Sequence, residues 1–206
     1  MLISKLHYIT TNPEQAEQAC KGGANWVQLR IKNKPYEEWK SMALATQKVC
    51  KQYGAKLIIN DNVMLAKEIK ADGIHLGKED MSPVEARALV GKNTIIGGTA
   101  NTSADIQRLS EAKVDYIGLG PFRFTATKDN LSPILGLEGY QNIIRYCRIT
   151  GISLPIIAIG GITLSDVAAL LNTGIHGVAI SSAITQAEDI TAAAKQFMNQ
   201  LQETNQ

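Results

Sequence analysis

The chain reads Leu57-Ile58-Ile59-Asn60-Asp61 and, further on, Gly73-Ile74-His75-Leu76-Gly77-Lys78-Glu79-Asp80, two apolar runs that each end abruptly in polar residues. This pattern is typical of a buried parallel strand whose carboxyl end opens into a site. Asp61 and Asp80 therefore follow two strand ends. Because neighbouring parallel strands end at the same edge of a sheet, both carboxylates should face one crevice and could share a hard divalent cation.

Strand and helix patterns alternate along the chain on both sides of these runs. Asn12-Pro13 predicts an N-cap with proline at the first helical position, and Ser82-Pro83-Val84-Glu85 predicts a capping box. Strands are predicted over residues 6–10, 26–30, 56–60, 73–76, 94–98, 116–120, 155–159 and 177–180. Helices are predicted over residues 13–21, 36–53, 63–70, 83–90, 103–112, 137–150, 164–172 and 189–201.

Eight βα units in 206 residues predict an α/β protein, a single-domain (β/α)8 barrel over residues 1–206. An open doubly wound sheet is the alternative, although no Gly-x-Gly-x-x-Gly follows the first strand. In a barrel, residues that follow strands form the catalytic face, and residues that precede strands form the opposite, stabilising face. Asp72 and Asp115 precede strands, so we expect them to form turns rather than the site.

Composition narrows the classes of function. The net charge of +2 is too small to predict a general surface for nucleic acid or membrane. No apolar run approaches the length of a membrane span, and residues 1–5 lack the pattern of a signal peptide. Cys20, Cys50 and Cys147 form no Cys-x-x-Cys pair, which favours reduced thiols. The sequence therefore predicts a cytoplasmic protein with small-molecule ligands, and it allows a homo-oligomer.

Polar residues that follow or end the predicted strands should converge at one mouth of the barrel. They are Gln28, Arg30, Lys32, Asn60, Asp61, His75, Lys78, Asp80, Thr99, Asn101, Thr125, Thr127 and Lys128. Mg2+ is often held by one or two carboxylates and by phosphate oxygens, so we expect Asp61 and Asp80 to bind Mg2+ beside a pyrophosphate. Arg30, Lys32 and Lys128 would balance its remaining charge. Ordinary salt bridges between loops are the alternative interpretation.

A second anion site is predicted after the last two strands. Ile159-Gly160-Gly161-Ile162-Thr163 and Ile180-Ser181-Ser182-Ala183 place small residues where barrels commonly bind phosphate through backbone N–H groups. Glycine pairs also serve tight turns, so the prediction depends on both segments together.

Several segments, taken in order, resemble the successive signatures of the thiamine-phosphate synthase family. They are Gln28-Leu29-Arg30-Ile31-Lys32, Ile59-Asn60-Asp61, Asp72-Gly73-Ile74-His75-Leu76-Gly77-Lys78-Glu79-Asp80-Met81, Gly118-Leu119-Gly120-Pro121, Thr125-Ala126-Thr127-Lys128 and Ile159-Gly160-Gly161-Ile162. The resemblance implies a (β/α)8 barrel transferase of thiamine biosynthesis. Such an enzyme joins hydroxymethylpyrimidine pyrophosphate to hydroxyethylthiazole phosphate, giving thiamine monophosphate and releasing pyrophosphate.

The resemblance also implies roles for individual residues. The magnesium ligands are Asp61 and Asp80, and the catalytic groups around the pyrophosphate are Arg30, Lys32, Asn60, Thr99 and Lys128. Thr99 stands where the family has a serine. Gln28 would contact the pyrimidine. The thiazole phosphate would be bound by Thr125, Thr127, Gly161, Ser181 and Ser182.

The chain departs from the family pattern at three positions. Asn62 replaces an arginine, and Lys78 replaces a glutamine and would restore the lost cation. Asn101 stands where the family has a histidine, so no imidazole acts there. His75, inside a predicted strand, is open to a packed or a site role, and we assign it no proton transfer.

Three other functions compete with this interpretation. A related thiazole tautomerase does not need the magnesium carboxylates or the full set of pyrophosphate cations. An aldolase-type enzyme needs a Schiff-base lysine within a strand, and the predicted strand interiors contain none. A non-catalytic barrel that binds phosphate esters would bind thiazole phosphate without turnover.

Overall fold

The structure is a computed structural model that describes residues 2–124 and 132–203. Eight parallel strands close into a barrel in chain order, with Tyr8 of the first strand opposite Ile180 of the last. The strands are β1 (Leu6–Thr10), β2 (Trp26–Leu29), β3 (Lys56–Asn60), β4 (Gly73–Leu76), β5 (Ile95–Ala100), β6 (Tyr116–Leu119), β7 (Ile156–Ile159) and β8 (Gly177–Ile180). The prediction of a (β/α)8 barrel is confirmed, and the open sheet is excluded.

Helices connect successive strands around the outside of the barrel. They are α1 (Pro13–Lys21), α2 (Tyr36–Tyr53), α3 (Val63–Glu68), α4 (Pro83–Val90), α5 (Ser103–Glu111), α6 (Gly136–Thr150), α7 (Val167–Asn172), α8 (Ser182–Thr185) and α9 (Ile190–Glu203). Within the ranges described, no helix combines the length and the apolar character that crossing a membrane requires.

The first turn of the helix predicted over residues 164–172 is a 3-10 helix, Leu164–Asp166, and several other bounds shift by one or two residues. Two further differences concern the site. β5 continues through Ala100, because Thr99 and Ala100 still pair with Gly118 and Leu119 of β6. Thr99 therefore lies within β5, one residue before its end, and not in the loop after it. The single turn α8 directly follows β8, and it is too short for hydrophobic periodicity to reveal.

The strands are buried on both faces, which explains their continuous apolar runs. Side chains that fill the barrel interior include Ile3, Ile9, Trp26, Ile58, Ile95, Tyr116, Ile157 and Ala179. Alternate residues such as Leu57 and Ile59 belong instead to the layer between strands and helices. The interior is thus a packed core, as expected for an eight-stranded barrel.

Asp72 and Asp115 lie at the end of the barrel that is opposite the predicted mouth. The sequence predicted this position. Asp72 accepts a hydrogen bond from the backbone N–H of Leu57 (2.9 Å), at the start of β3. Asp115 accepts from the N–H of Ile96 (2.8 Å) and pairs with Arg87 (2.7 Å). These carboxylates tie strands together where no ligand site is expected.

We expect Asp115→Ala to lower the free energy of unfolding by about 2 kcal/mol, because it removes a charge-assisted bond to a strand N–H and takes away the carboxylate partner of Arg87. Urea unfolding followed by circular dichroism measures this loss. Glu111→Ala is the matched control: that exposed carboxylate accepts a surface bond from Gln107 (2.8 Å), and its removal should change stability by less than about 0.5 kcal/mol. Equal losses in the two variants would contradict the role given to Asp115.

Candidate active site

A cavity of about 730 Å³ opens at the carboxyl ends of the strands. It is lined by every predicted site residue that the structure describes: Gln28, Arg30, Lys32, Asn60, Asp61, Asp80, Thr99, Gly161, Ser181 and Ser182. His75 and Lys78 line it as well. Thr125, Thr127 and Lys128 lie outside the described residues. Asn101, which the strand-end rule also placed at the mouth, does not line the cavity, because its buried amide bonds to the carbonyls of Gly120 and Pro133. For the other described residues, the rule located one continuous site.

Asp61 and Asp80 form an acid pair at one end of the cavity. Asp61 directly follows β3 at a left-handed φ of 66°, and its N–H donates to the carbonyl of His75 (2.9 Å). Asp80 lies in the loop after β4, where its Oδ2 accepts from the N–H of Gly77 (2.6 Å). Burial raises the pKa of Asp80, and a hydrogen bond shared with the Asp61 carboxyl raises that pKa further.

The acid pair suits a hard divalent cation. Two carboxylates this close repel one another, and a cation between them removes the repulsion. Among residues 2–124 and 132–203, no cluster of three or more His, Cys, Asp or Glu could hold a metal by itself. Two carboxylates with further positions left for water and phosphate oxygens match the usual magnesium site. Lys32 already places a cation there, with its Nζ 2.5 Å from Oδ2 of Asp61.

Amide side chains from β2 and β3 form the floor next to the acid pair. Gln28 and Asn60 are buried, and Nε2 of Gln28 donates to Oδ1 of Asn60 (2.8 Å). This bond fixes the orientation of both amides, so Asn60 still has its amide donor and Gln28 its carbonyl acceptor for a ligand. Arg30 follows β2, and its backbone N–H donates to the carbonyl of Thr10 (2.9 Å). Arg30 and Lys32 bring positive charge to the same end as the two acids.

The other end of the cavity is made of backbone and small side chains. Gly160 and Gly161, after β7, adopt φ values of 100° and 65°, which favour glycine. A Cβ at Gly160 would lie 2.6 Å from Cβ of Pro121, so a side chain does not fit there. Ser181 and Ser182 follow β8 and line the cavity beside this turn. Such a small-residue surface lets an anion approach the backbone closely.

Arg123 supports the glycine turn, and sequence patterns had not singled it out. Its guanidinium donates to the carbonyl of Gly161 (3.0 Å) and pairs with Asp166 through two bonds (2.6 and 2.8 Å). Asp166 also accepts from the N–H of Thr163 (2.8 Å). The partners are about forty residues apart in sequence, so no local spacing could have indicated the contact.

The three departures from the family pattern have local structural roles. Asn62 caps α3 by accepting from the N–H of Leu65 (2.9 Å). Asn101 is buried and donates to the carbonyls of Gly120 (2.9 Å) and Pro133 (2.8 Å), so it ties loops together. Lys78 lines the cavity, but its Nζ pairs with Asp105 at 2.6 Å. The proposed compensation by Lys78 therefore stays a prediction.

His75 combines the two roles that the sequence left open. It is buried in β4, with Nδ1 3.0 Å from the phenol oxygen of Tyr116 and Nε2 3.0 Å from Oγ1 of Thr99. It also lines the cavity. The ring is therefore both packed and part of the site.

Comparisons with known proteins agree with this geometry. A family model described as thiamine monophosphate synthase matches residues 1–184. The thiamine-phosphate synthase of Phocaeicola vulgatus is 52% identical over 186 residues, which are 90% of this chain and 89% of that protein. The thiamine-phosphate synthase of Flavobacterium johnsoniae is 45% identical, with 97% of each chain covered. Among solved structures, thiamine phosphate pyrophosphorylase from Pyrococcus furiosus superposes with a TM-score of 0.86 at 30% identity, covering 97% of this chain and 96% of that chain.

We expect Asp61→Asn to lower the pKa of Asp80 relative to the unaltered protein, because the acidic neighbour that raises it is replaced by a neutral amide. The carboxyl carbon shift of Asp80, followed by NMR against pH in metal-free buffer, measures the change. Asp72→Asn, at the opposite end of the barrel, should leave this titration unaltered. A pKa of Asp80 that stays the same or rises in Asp61→Asn would show that the two carboxyls do not interact.

Proposed function

The chain belongs to the thiamine monophosphate synthase family and is a transferase of thiamine biosynthesis, and from that premise we propose its substrates and mechanism. The substrates are hydroxymethylpyrimidine pyrophosphate and hydroxyethylthiazole phosphate, and the products are thiamine monophosphate and pyrophosphate. We infer that Mg2+ is required. Cytoplasmic location and homo-oligomeric assembly stay predictions.

One observation carries this proposal: the cavity has two chemically different anion-binding ends. The first end combines Asp61 and Asp80 with Arg30 and Lys32, which suits a doubly charged or triply charged group bound with a divalent cation. The second end presents the Gly160-Gly161 turn and small residues, which suit a monoester phosphate bound by the backbone. A pyrophosphate ester and a phosphate ester are the two substrates of this reaction.

The protein's own groups would act mainly on the leaving pyrophosphate. Asp61 and Asp80 would hold Mg2+, which would supply positive charge against the phosphate oxygens. Arg30 can bind two oxygens at once, and Lys32 adds a point charge beside the acid pair. The hydrogen bond from Gln28 fixes the orientation of the Asn60 side chain, whose amide N–H would donate to the pyrophosphate. These donors stabilise the charge that grows on the pyrophosphate as the carbon–oxygen bond breaks.

No protein nucleophile is needed for the bond that forms. The carbon–oxygen bonding electrons leave with the pyrophosphate, and the positive charge on the methylene carbon delocalises into the aminopyrimidine ring. The thiazole nitrogen then donates its lone pair to that carbon, which gives the thiazolium of the product. The phosphate end of the cavity would hold the thiazole so that its nitrogen faces the carbon, and this positioning contributes to the rate.

The acid pair favours this function over the alternatives. A thiazole tautomerase has no use for two adjacent carboxylates beside Arg30 and Lys32, although it could use the phosphate end. An aldolase needs a lysine within a strand, and the buried polar residues found in the described strands are His7, Thr10, Gln28, Asn60 and His75, none of which is a lysine. A non-catalytic barrel could bind the same phosphate ester, so only a test for product formation distinguishes it from the enzyme.

We expect the purified protein to form thiamine monophosphate and pyrophosphate from the two precursors when Mg2+ is present, and to stop when excess chelator is added. Asp80→Asn should lower kcat by more than about a hundredfold, because a neutral amide is a poor magnesium ligand. Asp72→Asn keeps the same change in charge at the other end of the barrel and should retain activity. Binding of thiazole phosphate without any product would establish the non-catalytic alternative, and full activity in chelator would exclude the metal.

We expect Ser182→Asp to raise the KM for hydroxyethylthiazole phosphate by about tenfold or more, because a carboxylate would repel the phosphate. Ser182→Asn matches the size of aspartate without its charge and should raise that KM less. The KM for hydroxymethylpyrimidine pyrophosphate should change by less than about twofold in both variants. Steady-state kinetics with each substrate varied in turn measures the two effects, and equal rises in both KM values would show that the two ends are not separate sites.

A further inference from the structure

A hydrogen-bonded chain of three side chains runs from the barrel interior to the cavity. The phenol of Tyr116 is within 3.0 Å of Nδ1 of His75, and Nε2 of the same ring is within 3.0 Å of Oγ1 of Thr99. Tyr116 is 1% exposed, whereas His75 and Thr99 line the cavity. We propose that Tyr116 and His75 are positioning residues, which set the direction of the Thr99 hydroxyl so that it donates its hydrogen to the anionic ligand.

Packing holds both rings of this chain in place. A Cβ at Gly97 would lie 2.1 Å from Cζ of Tyr116, and a Cβ at Gly118 would lie 2.9 Å from Cε1 of His75. The two glycines therefore make the space that the rings occupy. The strand register places Gly97 opposite both His75 and Tyr116, and it places Thr99 opposite Gly118. The rings also stack, with centroids 5.5 Å apart and planes at 28°.

The direction of the two hydrogen bonds follows from which atoms of Tyr116 and His75 carry a hydrogen. We take the buried His75 ring as a neutral imidazole, which has one N–H donor and one acceptor nitrogen. Burial raises the pKa of Tyr116, so the phenol keeps its hydrogen. Over the ranges that the structure describes, Nδ1 of His75 is the hydrogen-bond partner found for that phenol, and a buried hydroxyl without an acceptor is costly. Tyr116 therefore donates to Nδ1, and the hydrogen of the imidazole is on Nε2.

The Thr99 hydroxyl then accepts from the His75 ring and cannot donate to it. Nε2–H of His75 donates to Oγ1 of Thr99, so the hydrogen of that hydroxyl must point away from the ring. Thr99 is half-buried at the wall of the cavity, and the cavity is where this hydrogen can find an acceptor. If Thr99 donated to His75 instead, the lone pairs of its Oγ1 would face the anion and repel it. The inference rests on the proposed function, because the acceptor is the pyrophosphate group of the pyrimidine substrate.

A double-mutant cycle tests whether Tyr116 acts through Thr99. Thr99→Val removes the hydroxyl at nearly constant shape and should lower kcat/KM for the pyrimidine pyrophosphate on the order of a hundredfold, as the loss of one donor to a developing anion does. Tyr116→Phe should lower it about tenfold, because nothing then holds the hydrogen on Nε2. In the Thr99→Val background, Tyr116→Phe should cost less than about twofold. In the Thr99→Ser background, which keeps a hydroxyl, it should again cost about tenfold.

Tyr140→Phe is the matched control for the loss of a buried phenol hydroxyl. Tyr140 donates to the carbonyl of Leu119 on the same strand as Tyr116, but it is not part of the chain to Thr99. Its substitution should change kcat/KM by the same factor with Thr99 or with Val at that position. Independent effects of Tyr116→Phe and Thr99→Val would overturn the proposal, since a merely structural role of Tyr116 predicts that outcome.

A second measurement does not depend on turnover. Nitrogen NMR of histidine-labelled protein should show the hydrogen of His75 on Nε2, with the signal assigned by its loss in His75→Gln, and Tyr116→Phe should shift the ring toward a mixture of tautomers. A hydrogen on Nδ1 in the unaltered protein would overturn the positioning role. If the unaltered protein forms no thiamine monophosphate, the proposed function fails, whereas the tautomer result still decides the inference about Tyr116 and His75.

Discussion

Closure of eight parallel strands into one barrel is the constraint on which the rest of the molecule depends. Each strand is covered inside by the packed interior and outside by helices, so its backbone groups are paired within the sheet and most of its side chains are apolar. The polar groups that can meet a ligand therefore lie at the carboxyl ends of the strands, as Gln28, Asn60 and His75 do, or just beyond them. Closure brings the carboxyl-terminal ends of all strands around one opening, which is why residues from each of the eight strands line one cavity.

Charge is distributed unevenly around that opening. The acid pair, with Arg30 and Lys32, lies after β2 to β4, and burial together with Asp61 already raises the pKa of Asp80. Such an arrangement is unfavourable by itself and becomes favourable when a cation and an anion bind together. The opposite side relies on backbone geometry, with the Gly160-Gly161 turn held by Arg123 and Asp166. The repulsion between Asp61 and Asp80 is thus located where a ligand is expected.

Local sequence signals predicted most of the fold and of the site. The N-cap at Asn12 and the capping box of Ser82 and Glu85 are both present, and the strand-end rule separated Asp61 from Asp72 correctly by barrel face. The remaining features depend on contacts between distant segments, which no local pattern encodes. Arg123 meets Asp166 and Lys78 meets Asp105 only because the barrel brings their loops together. The helix α8 was not predicted, because its four residues are too few to show a helical period.

The division of the cavity between two parts of the chain has a consequence for how such a protein can change over evolutionary time. The acid end comes from residues 30–80, and the end for which we propose phosphate binding comes from residues 159–182. Substitutions in the earlier segment would alter chemistry while recognition of the phosphate ester persists, and duplicated copies could diverge by this route. A descendant that lost the acids would still be a folded barrel with a phosphate pocket, ready to acquire a different reaction on the same ligand.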